Sequence, residues 1–183
     1  MLELLVVIAI IGTLAGLMYP AVTGALQKAQ NTHALQTATS LKTAISAYNT
    51  DYRKYPVDIS KTDESPPMRT DHTLMDVLLG ADSQKESGGL NPRGTVFFTD
   101  RAAKSLGGGK YRKGITLDTD GGGELWDPWG EHYYVVMDLD NNSRVEKPSW
   151  DASELQVLPE SILIWSAGRD LSESEAKDNI KTW

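Results

Sequence analysis

The chain has 183 residues, room for one ordinary domain with an appendage. Its formal charge is −7, which excludes a general polyanion binder, because affinity for nucleic acid rests mainly on Lys and Arg neutralising phosphates. With no cysteine, disulfides, thiolate catalysis and Cys-based zinc sites are excluded as well.

The first element is a long apolar helix. From Leu4 to Gln27 no charged residue occurs, and residues 4–22 wound as a helix cover about 30 Å, the thickness of a hydrocarbon core. The stretch therefore predicts a transmembrane span; an ordinary secretory signal would need a basic n-region and a small-residue cleavage site. Gly12 and Gly16 form a small-xxx-small pair that lets a second helix approach closely. Pro20 lacks an N–H and predicts a kink or local unwinding. Beyond it Leu26, Ala34, Ala38, Leu41, Ile45, Tyr48 and Tyr52 mark one face of an amphipathic continuation. The helix is expected to run from about Leu2 to Tyr52, roughly 75 Å, until Tyr55-Pro56 stops it. Residues 1–23 form its apolar half, and 24–183 the globular domain with the amphipathic helix 24–52.

The opening run Leu2-Glu-Leu-Leu-Val-Val-Ile-Ala-Ile-Ile-Gly12 resembles the start of type II secretion pseudopilins and type IV pilins, in which a glutamate at the fifth mature position precedes such a stretch. Glu3 matches that glutamate. A carboxylate at the edge of an apolar run is expensive to bury and asks for a partner. In the family the partner is the N-terminal amine of a neighbouring subunit; a glutamate lying at the water interface is the alternative. The family's basic leader, the Gly before the cleavage point and the aromatic first mature residue are absent, and Glu3 stands two positions early. The processing site is thus missing from this chain, and the expectation is of a start that has lost its first residues. The resemblance implies a subunit held in the bacterial inner membrane by a single pass, its C-terminal domain periplasmic, which then enters a periplasmic pseudopilus.

The middle of the chain is less legible. Residues 57–71 lack periodicity and read as a surface loop. Asp71 to Gly80 predicts a short helix with an Asp cap and a Gly stop. Between Gly88 and Gly123 short apolar pieces suggest edge strands or an ordered loop lying across the long helix. Gly107-Gly-Gly-Lys110 lacks the spacing of a phosphate loop. Arg93, Arg101, Lys104, Lys110, Arg112 and Lys113 form a locally basic stretch, a solvated face or a subunit contact in preference to a nucleic-acid site. Asp127-Pro-Trp-Gly130 is a turn followed by a strand over 132–138, and Asp138 to Asn142 turns the chain into 143–146, giving a hairpin. This turn with its Tyr-rich strand, and Ser161 to Gly168, are similar to the pseudopilin sheet and its last strand.

No catalytic constellation emerges, because His33, His72 and His132 are scattered and none adjoins a nucleophile. Asp138-Leu-Asp-Asn-Asn142 has the D-x-D-x-N start of a calcium loop, but Ser143 replaces the glycine and Ser149 the bidentate glutamate, which favours a plain turn. The C-terminal stretch Ser166 to Trp183 is rich in oxygen donors of the kind calcium requires. In major pseudopilins a loop at this place, ending in Ile-x-x-Trp, binds calcium; the resemblance implies Asp170 and Asp178 as ligands, with Asn179 where the family often has Asp. A solvated acidic loop pinned by Ile180 and Trp183 is the alternative.

These readings predict an α+β pilin-like fold and a structural subunit of a type II secretion pseudopilus. The expected assembly residues are Glu3, Gly12, Gly16 and Pro20, and the expected cofactor is calcium at Asp170, Asp178 and Asn179. Expected partners are identical or related subunits and an inner-membrane assembly platform, with no nucleic acid. The alternatives are a type IV pilin of a surface or DNA-uptake filament, or a membrane-anchored periplasmic ligand-binding domain using Trp126, Trp129 and Trp150.

Overall fold

The computed structural model describes residues 2–58, 64–153, 155–174 and 176–183, with the side chains of 15–21 excepted. The chain begins with α1 (Leu2–Tyr52), a single 51-residue helix. Its C-terminal half presents Ala34, Ala38, Leu41, Ile45 and Tyr48 at intervals of three and four, and each is fully buried, as the periodicity requires. Leu26, counted on the same face, is exposed instead, because α1 meets no other element so near its N-terminus.

After α1 come β1 (Met68–Arg69), α2 (His72–Leu79) and α3 (Asp82–Lys85). The short helix α2 forms where its end signals place it. The Asp71 carboxylate accepts a hydrogen bond from Thr73 N at 3.0 Å, and Gly80 closes the helix in the left-handed region at φ 74°, a conformation that costs glycine little. Four of its apolar side chains, Leu74, Met75, Val77 and Leu78, are fully buried against α1 and the strands.

The strands that follow are β2 (Lys104–Gly107), β3 (Lys110–Arg112), β4 (Gly114–Leu117), β5 (Gly123–Trp126), β6 (Tyr134–Met137), β7 (Val145–Glu146), β8 (Val157–Leu158), β9 (Ile162–Ser166) and β10 (Ile180–Lys181). The central sheet has the order β1-β6-β9-β10 and is antiparallel throughout. Three two-stranded ribbons surround it, β2-β3, β4-β5 and β7-β8. The architecture is α+β, a long N-terminal helix with small antiparallel sheets.

Side chains alternate across the central sheet and divide the core. Val135, Met137, Ile162 and Ile164 pack with Leu41, Ile45 and Tyr48 of α1. Tyr134, Val136, Leu163 and Trp165 lie on the other face, with Val145, Trp150 and Trp183. Nearly every residue of β6 and β9 is buried, which explains their continuous apolar composition.

Two expectations about connectivity are corrected. The segment 143–146 does not form a hairpin with β6. Val145 and Glu146 pair instead with Leu158 and Val157, a long-range partner that the turn at Asp138–Asn142 does not specify. Ser161 to Gly168 is not the last strand, since β10 adds to the sheet edge beside β9.

Candidate assembly arm and C-terminal oxygen loop

Two features stand apart from the core. The first is the N-terminal part of α1. Leu2 is 80% exposed and Leu4 72%, and Leu5, Val6, Val7, Ile8, Ile10, Ile11 and Leu14 all lie open. These positions point around the whole circumference of the helix, since successive residues step by about 100°. Gly12 has no atom within 4 Å of where a Cβ would stand, so its face of the helix is open to close approach. Glu3 lies in the first turn of α1, and among the described residues it forms no ion pair. The helix continues through positions 16 and 20, but the pairing expected of Gly16 and the kink expected at Pro20 fall among side chains outside the described residues.

The membrane expectation is corrected here. Among the described residues no helix is long and apolar enough to cross a membrane, in conflict with a transmembrane segment over 1–23 and with a single-pass inner-membrane location.

The second feature is the loop joining β9 to β10. Gly168, at φ 75°, lets the chain turn; a Cβ there would stand 2.3 Å from the Asp178 carbonyl oxygen, so only glycine permits this close approach. Asp178 Oδ2 accepts hydrogen bonds from Arg169 N at 2.7 Å and Asp170 N at 3.1 Å. Asp170 Oδ1 accepts from Ser172 N at 2.8 Å, and Asn179 Nδ2 donates to the Glu173 carbonyl at 3.1 Å. The fold thereby gathers Asp170, Asp178 and Asn179 into one loop. Asp178 Oδ1 and Asn179 Oδ1 are shielded from solvent and have no hydrogen-bond partner among the described residues. Oxygen atoms in that state cost free energy unless something electropositive meets them, and this donor set, all oxygen, suits a hard cation such as calcium.

The loop is clamped at its far end by a residue the sequence did not single out. Asp151 Oδ2 accepts from Lys181 Nζ and from Trp183 Nε1, each at 2.7 Å. Burial acts to raise the Asp151 pKa, but these two hydrogen bonds outweigh it and hold the carboxyl well below the usual carboxylate range. Trp183 packs edge-on to Trp165 at 5.9 Å between ring centroids, so the terminal residue is tied to the sheet twice.

Carboxylates also converge where the D-x-D-x-N pattern lies. Glu64, distant in sequence, joins Asp138 and Asp140, with one oxygen of each inside 4.8 Å. Here both oxygens of Asp138 and both of Asp140 accept hydrogen bonds within the turn, whereas the C-terminal loop leaves Asp178 Oδ1 and Asn179 Oδ1 over. Asp138 accepts from Asn142 N at 2.9 Å and Ser143 N at 2.8 Å, and Asp140 accepts from Asn142 Nδ2 at 2.6 Å. The turn reading of the pattern accounts for these bonds.

The histidines do not converge on a nucleophile. His72 lies 3.4 Å from Asp76, 3.3 Å from Asp118 and 3.8 Å from Glu124. Burial lowers its pKa, but the hydrogen bond and charge of Asp76, with Glu124 and Asp118, raise it overall. His132 lies tilted against Trp126 at 4.2 Å between ring centroids, and desolvation, then Arg101 and Lys113, lower the pKa of His33. The tryptophans proposed as a ligand platform divide between clusters: Trp126 contacts His132 and Tyr111, whereas Trp150 packs on Trp165 and Trp183.

No protein-family model, curated protein or solved structure matches this chain.

Proposed function

We propose that this protein is a structural subunit that polymerises through the N-terminal part of α1, a pseudopilin-like component of a protein-export filament with a pilin-like fold. The observation that carries the reading is the all-round apolar arm, from Leu2 to Leu14, standing clear of the globular core. A helix that is apolar on one face needs one neighbour, whereas a helix apolar on every face needs several around it. A bundle of the same arms from successive copies supplies them. Each large side chain buried in such a bundle contributes about 1.5–3 kcal/mol relative to exposure. The sequence resemblance around Glu3 supports the same reading, with Glu3 pairing to a neighbouring copy and Gly12 allowing close approach.

The C-terminal loop belongs to this proposal as a calcium-ordered element. Asp170, Asp178 and Asn179 would hold the ion, whose charge would satisfy the two oxygens left without a partner among the described residues and stiffen the segment between β9 and β10. The role is mechanical, a fixed outer surface for subunit packing.

Electron microscopy of the purified chain tests the reading. Filaments are expected from the native sequence and none from Ile8→Asp, which places a charge in the arm and leaves the core untouched. Equal filament yield from the variant would overturn it.

A further inference from the structure

The β2-β3 ribbon carries a charge arrangement that no ion pair among the described residues resolves. Residues 100–113 contain five basic side chains against one acidic, a local +4, so the remainder of a chain with net charge −7 carries −11. Lys104 stands directly opposite Arg112 in the ribbon, and like charges in that relation are destabilising. Among the described residues none of Arg101, Lys104, Lys110, Arg112 and Lys113 forms an ion pair, although other basic residues of the chain do. All four residues of β2 are exposed, including Leu106 near the tip. Gly107, Gly108 and Gly109, each at positive φ, make a turn with no side chains to obstruct its insertion.

A complementary surface lies on the sheet face turned away from α1. A groove of about 1270 Å³ is lined by Glu64, Asp140, Glu146 and Glu173, four carboxylates against two cations, Arg144 and Lys147. It exceeds the usual volume of a small-molecule pocket, up to about 1,000 Å³, and is of a size for a chain segment. Burial raises the Glu64 pKa, the hydrogen bond from Leu139 N opposes it, and the charges of Asp140, Asp138 and Glu146 add to the rise. Lys147, also at the groove, is nearly buried and directed to Ser153.

We propose that the basic β2-β3 ribbon of one copy seats in the acidic groove of the next. The ribbon and the groove are different patches of one chain, so the contact is head to tail, the type that propagates into an open assembly when it does not close into a ring. Charge complementarity selects a second copy as occupant, because the cations of the ribbon match the surplus carboxylates of the same molecule. The inference rests on the polymer reading above for its expectation of a second copy, and it adds a contact separate from the apolar arm.

The absence of cysteine makes a direct test simple. Chains carrying Leu106→Cys are mixed with chains carrying Ser149→Cys and a size tag, then oxidised in the buffer in which the native chain is inspected for filaments. The expected product is the mixed disulfide dimer, about tenfold in excess over either homodimer. Lys104→Glu, Lys110→Glu and Arg112→Glu in the first chain should cut it by about tenfold or more, and Glu64→Lys with Glu146→Lys in the second should restore it, which a misfolded variant could not do. Filaments without the mixed dimer would overturn this contact and leave the polymer reading standing. A mixed dimer without filaments would support the contact and overturn the polymer reading, and loss of both would overturn both. Capture of a DNA oligonucleotide by the ribbon, with no mixed dimer, would likewise overturn the contact.

Discussion

Asp127 Oδ2 accepts a hydrogen bond from Ser166 Oγ at 2.6 Å, joining the Asp127-Pro-Trp-Gly130 turn to the end of β9. The other carboxylate oxygen, Oδ1, accepts from Trp129 N, Gly130 N and Glu131 N at 2.7–3.0 Å, and Ser166 Oγ in turn accepts from Gly168 N at 3.1 Å. One buried side chain thus organises the turn before β6 and the start of the oxygen-rich loop. Burial pushes the Asp127 pKa up, and the four donors pull against it.

Asp127→Ala removes the acceptor of three backbone N–H groups and a hydroxyl, and is expected to cost about 3 kcal/mol, since buried donors left unpaired lose their full solvation. Ser166→Ala loses one bond and should cost about 1 kcal/mol. Urea denaturation of both variants measures the difference; equal losses would show that the turn does not depend on the carboxylate.

Calcium should raise the melting temperature through the C-terminal loop. With an affinity of the extracellular order, ~0.1 mM, millimolar calcium adds about 1.4 kcal/mol. Asp178→Ala should abolish that gain while Asp138→Ala keeps it, because the turn at Asp138 consumes its own oxygens. Calorimetric titration reads the heat directly, and a binding heat that persists in Asp178→Ala but vanishes in Asp138→Ala would move the site to the other cluster.

Glu3→Ala should lower filament yield while leaving the melting temperature of the globular part unchanged, because Glu3 lies in the exposed first turn of α1, away from the core. A parallel fall in melting temperature would mean that the arm contributes to folding and not to assembly alone.

The acidic surroundings of His72 give a pH dependence of definite sign. Its folded pKa is raised, so its contribution to stability is fully present below the unfolded value of ~6.5 and is lost as pH rises through the folded pKa. Native protein should therefore lose a little stability between slightly acid and neutral pH, and His72→Gln should flatten that slope. The effect is small because the imidazole is half exposed.

Asp151 has the opposite sign. Its depressed folded pKa contributes stability above the unfolded value of ~3.9, and that contribution is lost as pH falls through the folded pKa. Trp183→Phe removes one of the two donors to Asp151 Oδ2, so the variant should lose the β9–β10 loop at a higher pH on acid titration, monitored by proteolysis of the loop.

Local signals carried the parts of the fold that depend on short-range geometry. The three-and-four spacing from Ala34 to Tyr48 fixed the buried face of α1, and Asp71 with Gly80 set both ends of α2, because helix period and capping act within a few residues. The choice of Asp170, Asp178 and Asn179 came from the family resemblance; that they share one loop follows from their closeness in sequence. The pairing of β7 with β8 was not readable. A turn at Asp138–Asn142 suits a hairpin locally, and only the long-range alternatives decide which strand follows it.

The sequence by itself determined that this protein has a long N-terminal helix, apolar for its first part and amphipathic afterwards, since that pattern is written one residue at a time. Tertiary structure alone decided which side chains meet: Asp127 with Ser166, Asp151 with Lys181 and Trp183, Glu64 with Asp138 and Asp140, and the unmatched cations of the β2-β3 ribbon. The reason is that hydrogen bonds and charge pairs between distant segments are set by how the sheet closes, and no spacing along the chain encodes that distance.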